Sequence, residues 1–315
     1  MLKLLLSIDK LTPEYNQMID QLKKHCHVDV CNLTNYSLKN YDIFVGKKLS
    51  KNKLNEANKL KIVFAYKTGV DDFPIKELQQ KNIPLVNSHA SAKLIAEYCF
   101  SCCLSLLNHI NKFDNNLRQG IWYDKNDMYW ESVFDKKIGL LGYGHIGKEI
   151  HALLTKNNIQ AYTINRNHTY KNINLTDNLE NLVKKCDVII CSLPKTTQTN
   201  DLFNQNIFKL MKDKYLINVG RSNVINQKDL YNALKNKQIK GVAIDTWDEK
   251  PKTKSQILYP SQYDFNTFDN IILLPHAATR TKDGHKLYVQ DTTQKIINYI
   301  TKNTITDAIN YQKGY

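Results

Sequence analysis

Residues 136–154 read KKIGLLGYGHIGKEIHALL: an apolar run, glycines at 142, 144 and 147, then apolar residues returning at helical spacing. Each glycine has its own physical task. The first permits a tight turn out of a strand, the second lets a ligand phosphate approach the backbone, and the third lets a helix pack closely on that strand. The helix also aims its free N–H groups at the same spot, which suits a pyrophosphate. A glycine triplet alone would equally describe a ligand-free turn. With a strand before it and a helix after it, the segment reads as a dinucleotide-binding βαβ unit. Gly142, Gly144, His145, Ile146 and Gly147 are then cofactor-contacting positions.

The second strand of such a unit usually ends on an acid about twenty residues further on, where it accepts hydrogen bonds from the ribose of NAD. Here IQAYTINRNH (159–168) has no acid; Asn165 and Arg166 stand in its place. A carboxylate would repel the extra phosphate of NADP, whereas Asn165 does not and Arg166 presents a planar cationic fork to phosphate oxygens. His168 and Lys171 add positive potential. The pattern favours NADP(H) as cofactor and leaves NAD(H) as an alternative, because Arg166 would also serve as a solvated strand-end residue.

At 315 residues the chain is long enough for two domains. Its net charge of +14 raises nucleic acid as a partner. The lysines are scattered through helical patterns instead of forming a basic tract, so no nucleic-acid partner is expected. Seven cysteines without disulfide or zinc spacing fit a reducing, cytoplasmic setting and no metal site. Cys99, Cys102 and Cys103 in EYCFSCCLSLL recur on one apolar helical face, which is the spacing of core packing. The opening MLKLLLSIDK is too short for a signal peptide, and no later run reaches the length of a membrane span.

Short apolar runs alternate with helical patterns from residue 1 to about 87, the arrangement of a parallel α/β sheet. Thr12-Pro13 marks a helix start, the hydroxyl capping and the proline lacking an N–H to satisfy. A long apolar helix, about 92–107, resembles an interdomain connector. It leads to a second α/β series whose six strands, KKIGLLG, IQAYTIN, DVIICSLP, YLINVG, GVAIDTW and NIILLP, form a doubly wound sheet. A last helix, about 283–302, lies beyond them and is placed to return to the first sheet.

Several separated segments resemble the D-isomer-specific 2-hydroxyacid dehydrogenases: AYKTGVDDF (65–73), VNSHASAKLIAEY (86–98), the glycine fingerprint, CSLPKTTQT (191–199), LINVGRSNVINQKDLYNAL (216–234), GVAIDTW (241–247) and LLPHAA (273–278). The resemblance covers nearly the whole chain. It implies a doubly wound Rossmann domain, residues 94–282, inserted in a smaller flavodoxin-like α/β substrate domain, residues 1–93 and 283–315. It also implies hydride transfer between NADP(H) or NAD(H) and a small 2-oxo or D-2-hydroxy acid, and a homodimer packed through the cofactor domains, for which EYCFSCCLSLL offers an apolar helix.

By the same resemblance Arg221 grips the substrate carboxylate, a task suited to a two-pronged guanidinium. His276 is the acid/base, working near neutral pH, and Asp245 faces the nicotinamide carboxamide. Pro194, Thr196 and Val219 line the cofactor cleft, while the turn Lys67, Thr68, Gly69 and Val70 meets the substrate carboxylate through backbone N–H groups. The departure is in DTWDEKP (245–251), where Lys250 occupies the position of the family's glutamate, the partner of the catalytic histidine. Glu249 takes that role through a one-residue shift, or Asp248 does, or no carboxylate supports His276. Two alternatives keep the fold: a formate- or phosphite-type dehydrogenase, whose anion would also need Arg221, and a nucleotide-sensing, corepressor-like binding protein.

Overall fold

The first five apolar runs form parallel strands: β1 (Lys3–Ser7), β2 (His27–Cys31), β3 (Ile43–Gly46), β4 (Ile62–Ala65) and β5 (Leu85–Val86), in the order β2-β1-β3-β4-β5. Successive strand residues point to opposite faces, so each face has its own core. Leu4, Leu6, Ile43 and Phe64 meet Tyr15, Met18 and Leu22 of α1 (Pro13–Leu22). Leu5, Phe44 and Val63 meet Leu54 of α2 (Lys51–Asn55) and Leu78 of α3 (Ile75–Gln80). Thr12 does cap α1, accepting from the Tyr15 N–H. The C-terminal helix, Gly284–Lys302, packs Val289 and Ile296 into the first of these cores.

The computed structural model describes residues 1–32, 36–122, 129–165, 170, 172–253 and 255–314. Its chain divides into two units, Met1–Ser91 with Arg280–Tyr315, and Ala92–Thr279. The second unit opens with α4 (Ala92–Leu107) and α5 (Ile110–Arg118), then builds β6 (Lys137–Leu141), α6 (His145–Lys156), β7 (Gln160–Ile164), β8 (Asn174–Thr176), α7 (Leu179–Lys185), β9 (Val188–Cys191), α8 (Gln205–Lys209), β10 (Tyr215–Asn218), α9 (Gln227–Lys235), β11 (Gly241–Ile244) and β12 (Ile271–Leu273). All strands run parallel in the order β12-β11-β10-β9-β6-β7-β8. The winding reverses between β9 and β6, and ligands of such sheets lie beyond the carboxyl ends of the strands at that point.

Among the described residues the sheet has seven strands, where the sequence pattern indicates six. The extra one, β8, is three residues at the sheet edge, paired to β7 and too short to show an alternation. Helix α4 also differs from a bare connector. Its Ile95, Cys99, Cys102, Cys103 and Leu106 lie in one core with Ile138, Leu140, Ile150 and Leu154. Burial there pushes the Cys102 thiol up to about 11 and the Cys103 thiol up to about 12. No helix among the described residues is long and apolar enough to cross a membrane.

Glu131 fastens the amino-terminal edge of this sheet. It accepts from Tyr215 Oη at 2.6 Å and from Lys240 Nζ at 2.6 Å, and it also pairs with Lys136. Burial alone would raise its pKa, but hydrogen bonds from Lys136, Lys240 and Tyr215 outweigh that and bring it from 4.5 down to about 2. The folded value is the lower one, so the stability it confers is complete above about pH 5 and fades as pH falls toward 2. Glu131→Gln should therefore cost about 2 kcal/mol in urea unfolding at pH 7. The difference from wild type should shrink steadily below pH 5, and a gap independent of pH would contradict this account.

Candidate active site

The phosphate end of the site is formed by backbone. Gly142 leaves β6 at φ +105°, a conformation L side chains rarely adopt. A Cβ on Gly147 would lie 2.1 Å from the Gly142 carbonyl oxygen, so this glycine sets how closely α6 approaches the turn. Gly144 differs, because a Cβ there would meet no atom of the described residues within 4 Å. Space beside its backbone, in front of the α6 N–H groups of His145 and Ile146, fits the approach of a pyrophosphate. Asn165 follows the last residue of β7 and is exposed, its N–H donating to the Thr176 carbonyl of β8. Arg166, His168 and Lys171 lie outside the described residues.

Across the switch point, the turn after β9 is organised by Thr199, a residue the motif reading passes over. Its hydroxyl donates to the Pro194 carbonyl at 2.7 Å and accepts from the Thr196 N–H at 2.8 Å. Val219 extends the β10 ladder by one bond, its N–H donating to Cys191 O at 3.0 Å. Gly220 follows, and a Cβ there would sit 2.5 Å from the Leu193 carbonyl oxygen. That close approach turns the chain so that Arg221 emerges, half-buried, just before the 3-10 turn Ser222–Val224.

Asn218 shapes this corner and is a second residue missed from sequence. It is fully buried; its Oδ1 accepts from Gly220 N–H at 3.1 Å, and its Nδ2 donates to Arg221 O at 3.2 Å and to Thr246 Oγ1 at 3.3 Å. It therefore joins the loop after β10 to the loop after β11. A strand-end asparagine usually reads as a turn former, which hides this use.

Asp245, at the end of β11, is 1% exposed. Its Oδ1 accepts from Ala277 N–H at 2.7 Å and its Oδ2 from Ala278 N–H at 3.2 Å. These two residues directly follow His276, which is exposed at φ 54° in the left-handed region. That conformation costs a non-glycine residue about 1–2 kcal/mol, while two hydrogen bonds to a carboxylate contribute about 1.5–3 kcal/mol each, so the brace wins. Trp247 Nε1 donates to Leu274 O at 3.0 Å and ties the same two loops from the other side. Each Asp245 oxygen keeps a further lone-pair site.

Beyond Trp247 the chain reaches the surface. Asp248, Glu249 and Lys250 are all exposed, and Asp248 accepts from Gln227 Nε2 at 2.7 Å.

In the first unit, the residues after β4 form the turn Lys67–Val70. The N–H groups of Thr68, Gly69 and Val70 meet no protein acceptor among the described residues, so they keep their donor capacity for a ligand. Lys67 pairs with Asp72.

Residues 100–278 match the family model of the D-isomer specific 2-hydroxyacid dehydrogenase NAD-binding domain. A D-3-phosphoglycerate dehydrogenase of Methanocaldococcus jannaschii is 27% identical over 259 residues, which are 79% of this chain and 48% of that enzyme. A glyoxylate reductase of Thermofilum pendens is 28% identical over 248 residues, 74% of this chain and 70% of that one. The chain spans about half to two-thirds of the length of the phosphoglycerate dehydrogenases it matches. The fold also superposes on an NADPH-dependent glyoxylate/hydroxypyruvate reductase from Sinorhizobium meliloti with a TM-score of 0.80 at 18% identity, covering 99% of this chain and 98% of that one.

Proposed function

The chain belongs to the D-isomer specific 2-hydroxyacid dehydrogenase family, and we propose on that footing that it reduces a small 2-oxo acid to the D-2-hydroxy acid, or runs the reverse reaction. The observation that carries this reading is the Asp245 brace. It holds His276 on the loop after β12 while Asn218 shapes the Arg221 corner after β10, so the two side chains leave the strands on either side of β11 at the same edge of one sheet.

The nicotinamide cofactor, when bound, supplies or takes the hydride. Every other task falls to this chain. Arg221 binds the substrate carboxylate in two-point fashion and draws electron density from the adjacent carbonyl. His276 donates a proton to the carbonyl oxygen as that carbon is reduced, and accepts it back in the oxidative direction. Within the first unit, the N–H groups of Thr68, Gly69 and Val70 are open to a carboxylate, and Lys67 beside them pairs with Asp72. Lys250 stays in solvent, where its charge is cheap, and Glu249 supports the histidine.

NADP(H) is the favoured cofactor. The exposed end of β7 carries Asn165 with no carboxylate to repel a 2'-phosphate, and Arg166 follows it in sequence. The structural relative from Sinorhizobium meliloti is NADPH-dependent. An NADPH-oxidation screen over glyoxylate, hydroxypyruvate, pyruvate and bulkier 2-oxo acids should find turnover with kcat/KM at least tenfold above that with NADH. Equal values would remove the NADP(H) preference. Arg221→Ala should lower kcat/KM by roughly three orders of magnitude, as removal of a transition-state ion contact does, with the unfolding midpoint unchanged. A loss below tenfold would refute its role.

The second unit is proposed to pair with another copy of itself through a different surface from the cysteine helix. Helix α5 is amphipathic yet buries no residue, and its Ile110 and Leu117 lie exposed, as do Trp122, Trp130 and Phe134 in the segment that follows. Exposed apolar side chains on so short a stretch of sequence are what a second copy would bury. Sedimentation equilibrium at micromolar concentration should give twice the 36.6 kDa chain mass. A monomer that persists at that concentration would rule the pairing out.

A further inference from the structure

The turn Lys67–Val70 is held by a chain of hydroxyl groups that its own motif does not contain. Thr68 Oγ1 donates to the Ser88 carbonyl at 2.8 Å, the Tyr288 phenol lies 3.0 Å from Thr68 Oγ1, and Ser91 Oγ is hydrogen-bonded to the same phenol. Each hydroxyl owns one proton. The Thr68 proton is committed to a carbonyl, which can only accept, so Tyr288 must donate to Thr68. Ser91 must in turn donate to Tyr288. The chain therefore runs in a single direction from Ser91 through Tyr288 and Thr68 to Ser88 O, and bonds aligned head to tail strengthen one another.

The ends of this chain are fixed. Ser91 is fully buried. Asn87 Nδ2 donates to Thr68 O at 2.7 Å and Ser88 N–H donates to Lys67 O at 3.2 Å, so the start of the turn is gripped by backbone as well. Tyr288 sits on the C-terminal helix, which is locked one turn further along: Asp291 accepts from Ser88 Oγ at 2.6 Å and from Lys295 Nζ at 2.7 Å. The buried Lys295 also reaches Asn87 O at 2.9 Å and Asp307 at 2.7 Å. Such a layer leaves the phenol little freedom to do anything except hold Thr68 and Ser91.

We infer that Tyr288 is a positioning residue for the substrate. Through Thr68 it holds the turn Lys67–Val70 in the shape that presents its N–H groups to a carboxylate, and through Ser91 it ties that turn to the last residue of the chain before the second unit begins. The inference rests on the reading of this turn as a carboxylate receiver. It predicts an effect on oxo-acid binding that spares the proton and hydride steps, because none of the three hydroxyls belongs to the Arg221 and His276 corner.

The test is Tyr288→Phe, which keeps the ring and removes both hydrogen bonds, measured together with Thr68→Val and the double variant. With glyoxylate and NADPH, each single variant should raise the oxo-acid KM roughly tenfold, the effect of one lost hydrogen bond, leaving kcat and the NADPH KM within about threefold. The double variant should be no worse than either single one, since all three cut the same chain, and Thr68→Ser should restore wild-type KM. Hydrogen exchange of the Ser88 amide, which is bonded to Lys67 O, is read in parallel on cofactor-free protein and should quicken in Tyr288→Phe. Unchanged exchange there, or turnover with an unchanged oxo-acid KM, overturns the inference. Faster exchange in a protein whose wild type turns over no 2-oxo acid would support the hold of Tyr288 on the turn while overturning the substrate reading of that turn.

Discussion

The carboxylate of Asp245, buried and shared between the N–H groups of Ala277 and Ala278, is the constraint on which the site depends. A buried anion is costly unless its oxygens are hydrogen-bonded, and here the required donors come from the backbone that carries His276. Satisfying the charge and placing the histidine are thus one event. The left-handed φ of His276 persists because the surrounding bonds contribute more than that conformation costs.

The same economy recurs at the other corners. Asn218 spends its three hydrogen bonds on Gly220, Arg221 and Thr246, so the corner that bears the guanidinium is set by the strand beside it. Thr199 closes the turn after β9 in the same way. Gly144 and Gly147 divide the phosphate turn between an open face and a tight one. Parallel strands deliver these loops to one edge of the sheet because every crossover carries the chain back to the opposite edge before the next strand begins. The first unit repeats the device on its smaller sheet, where Thr68, Ser91 and Tyr288 hold a turn of free N–H groups at the carboxyl end of β4.

Much of this was legible in the sequence because it rests on local signals. Apolar runs of four or five residues announced β1, β3, β4, β6, β9, β10 and β11, and the glycine spacing announced the turn before α6. Thr12 before Pro13 marked the start of α1. What stayed hidden was either too short or too distant. Strand β8 offers three residues with no periodicity, and α5 shows its apolar stripe only once it is seen to lie unburied. Asp245 reads as a strand-end acid until its partners 32 and 33 residues away are known. Tyr288 is 220 residues from Thr68 and has no motif of its own. Helix α4 was legible as an apolar helix but not as part of the second core, since composition does not say which sheet a helix will cover.

The claim at the centre of this account is that the histidine held by Asp245 gives its proton to the substrate. The pH profile of kcat/KM in the direction of 2-oxo acid reduction, wild type against His276→Gln, tests it most directly. Wild type should lose activity toward alkaline pH as the imidazole gives up its proton. The variant should be slower by roughly 100-fold or more and show no such limb. A variant that keeps both the limb and the rate to within threefold would contradict it.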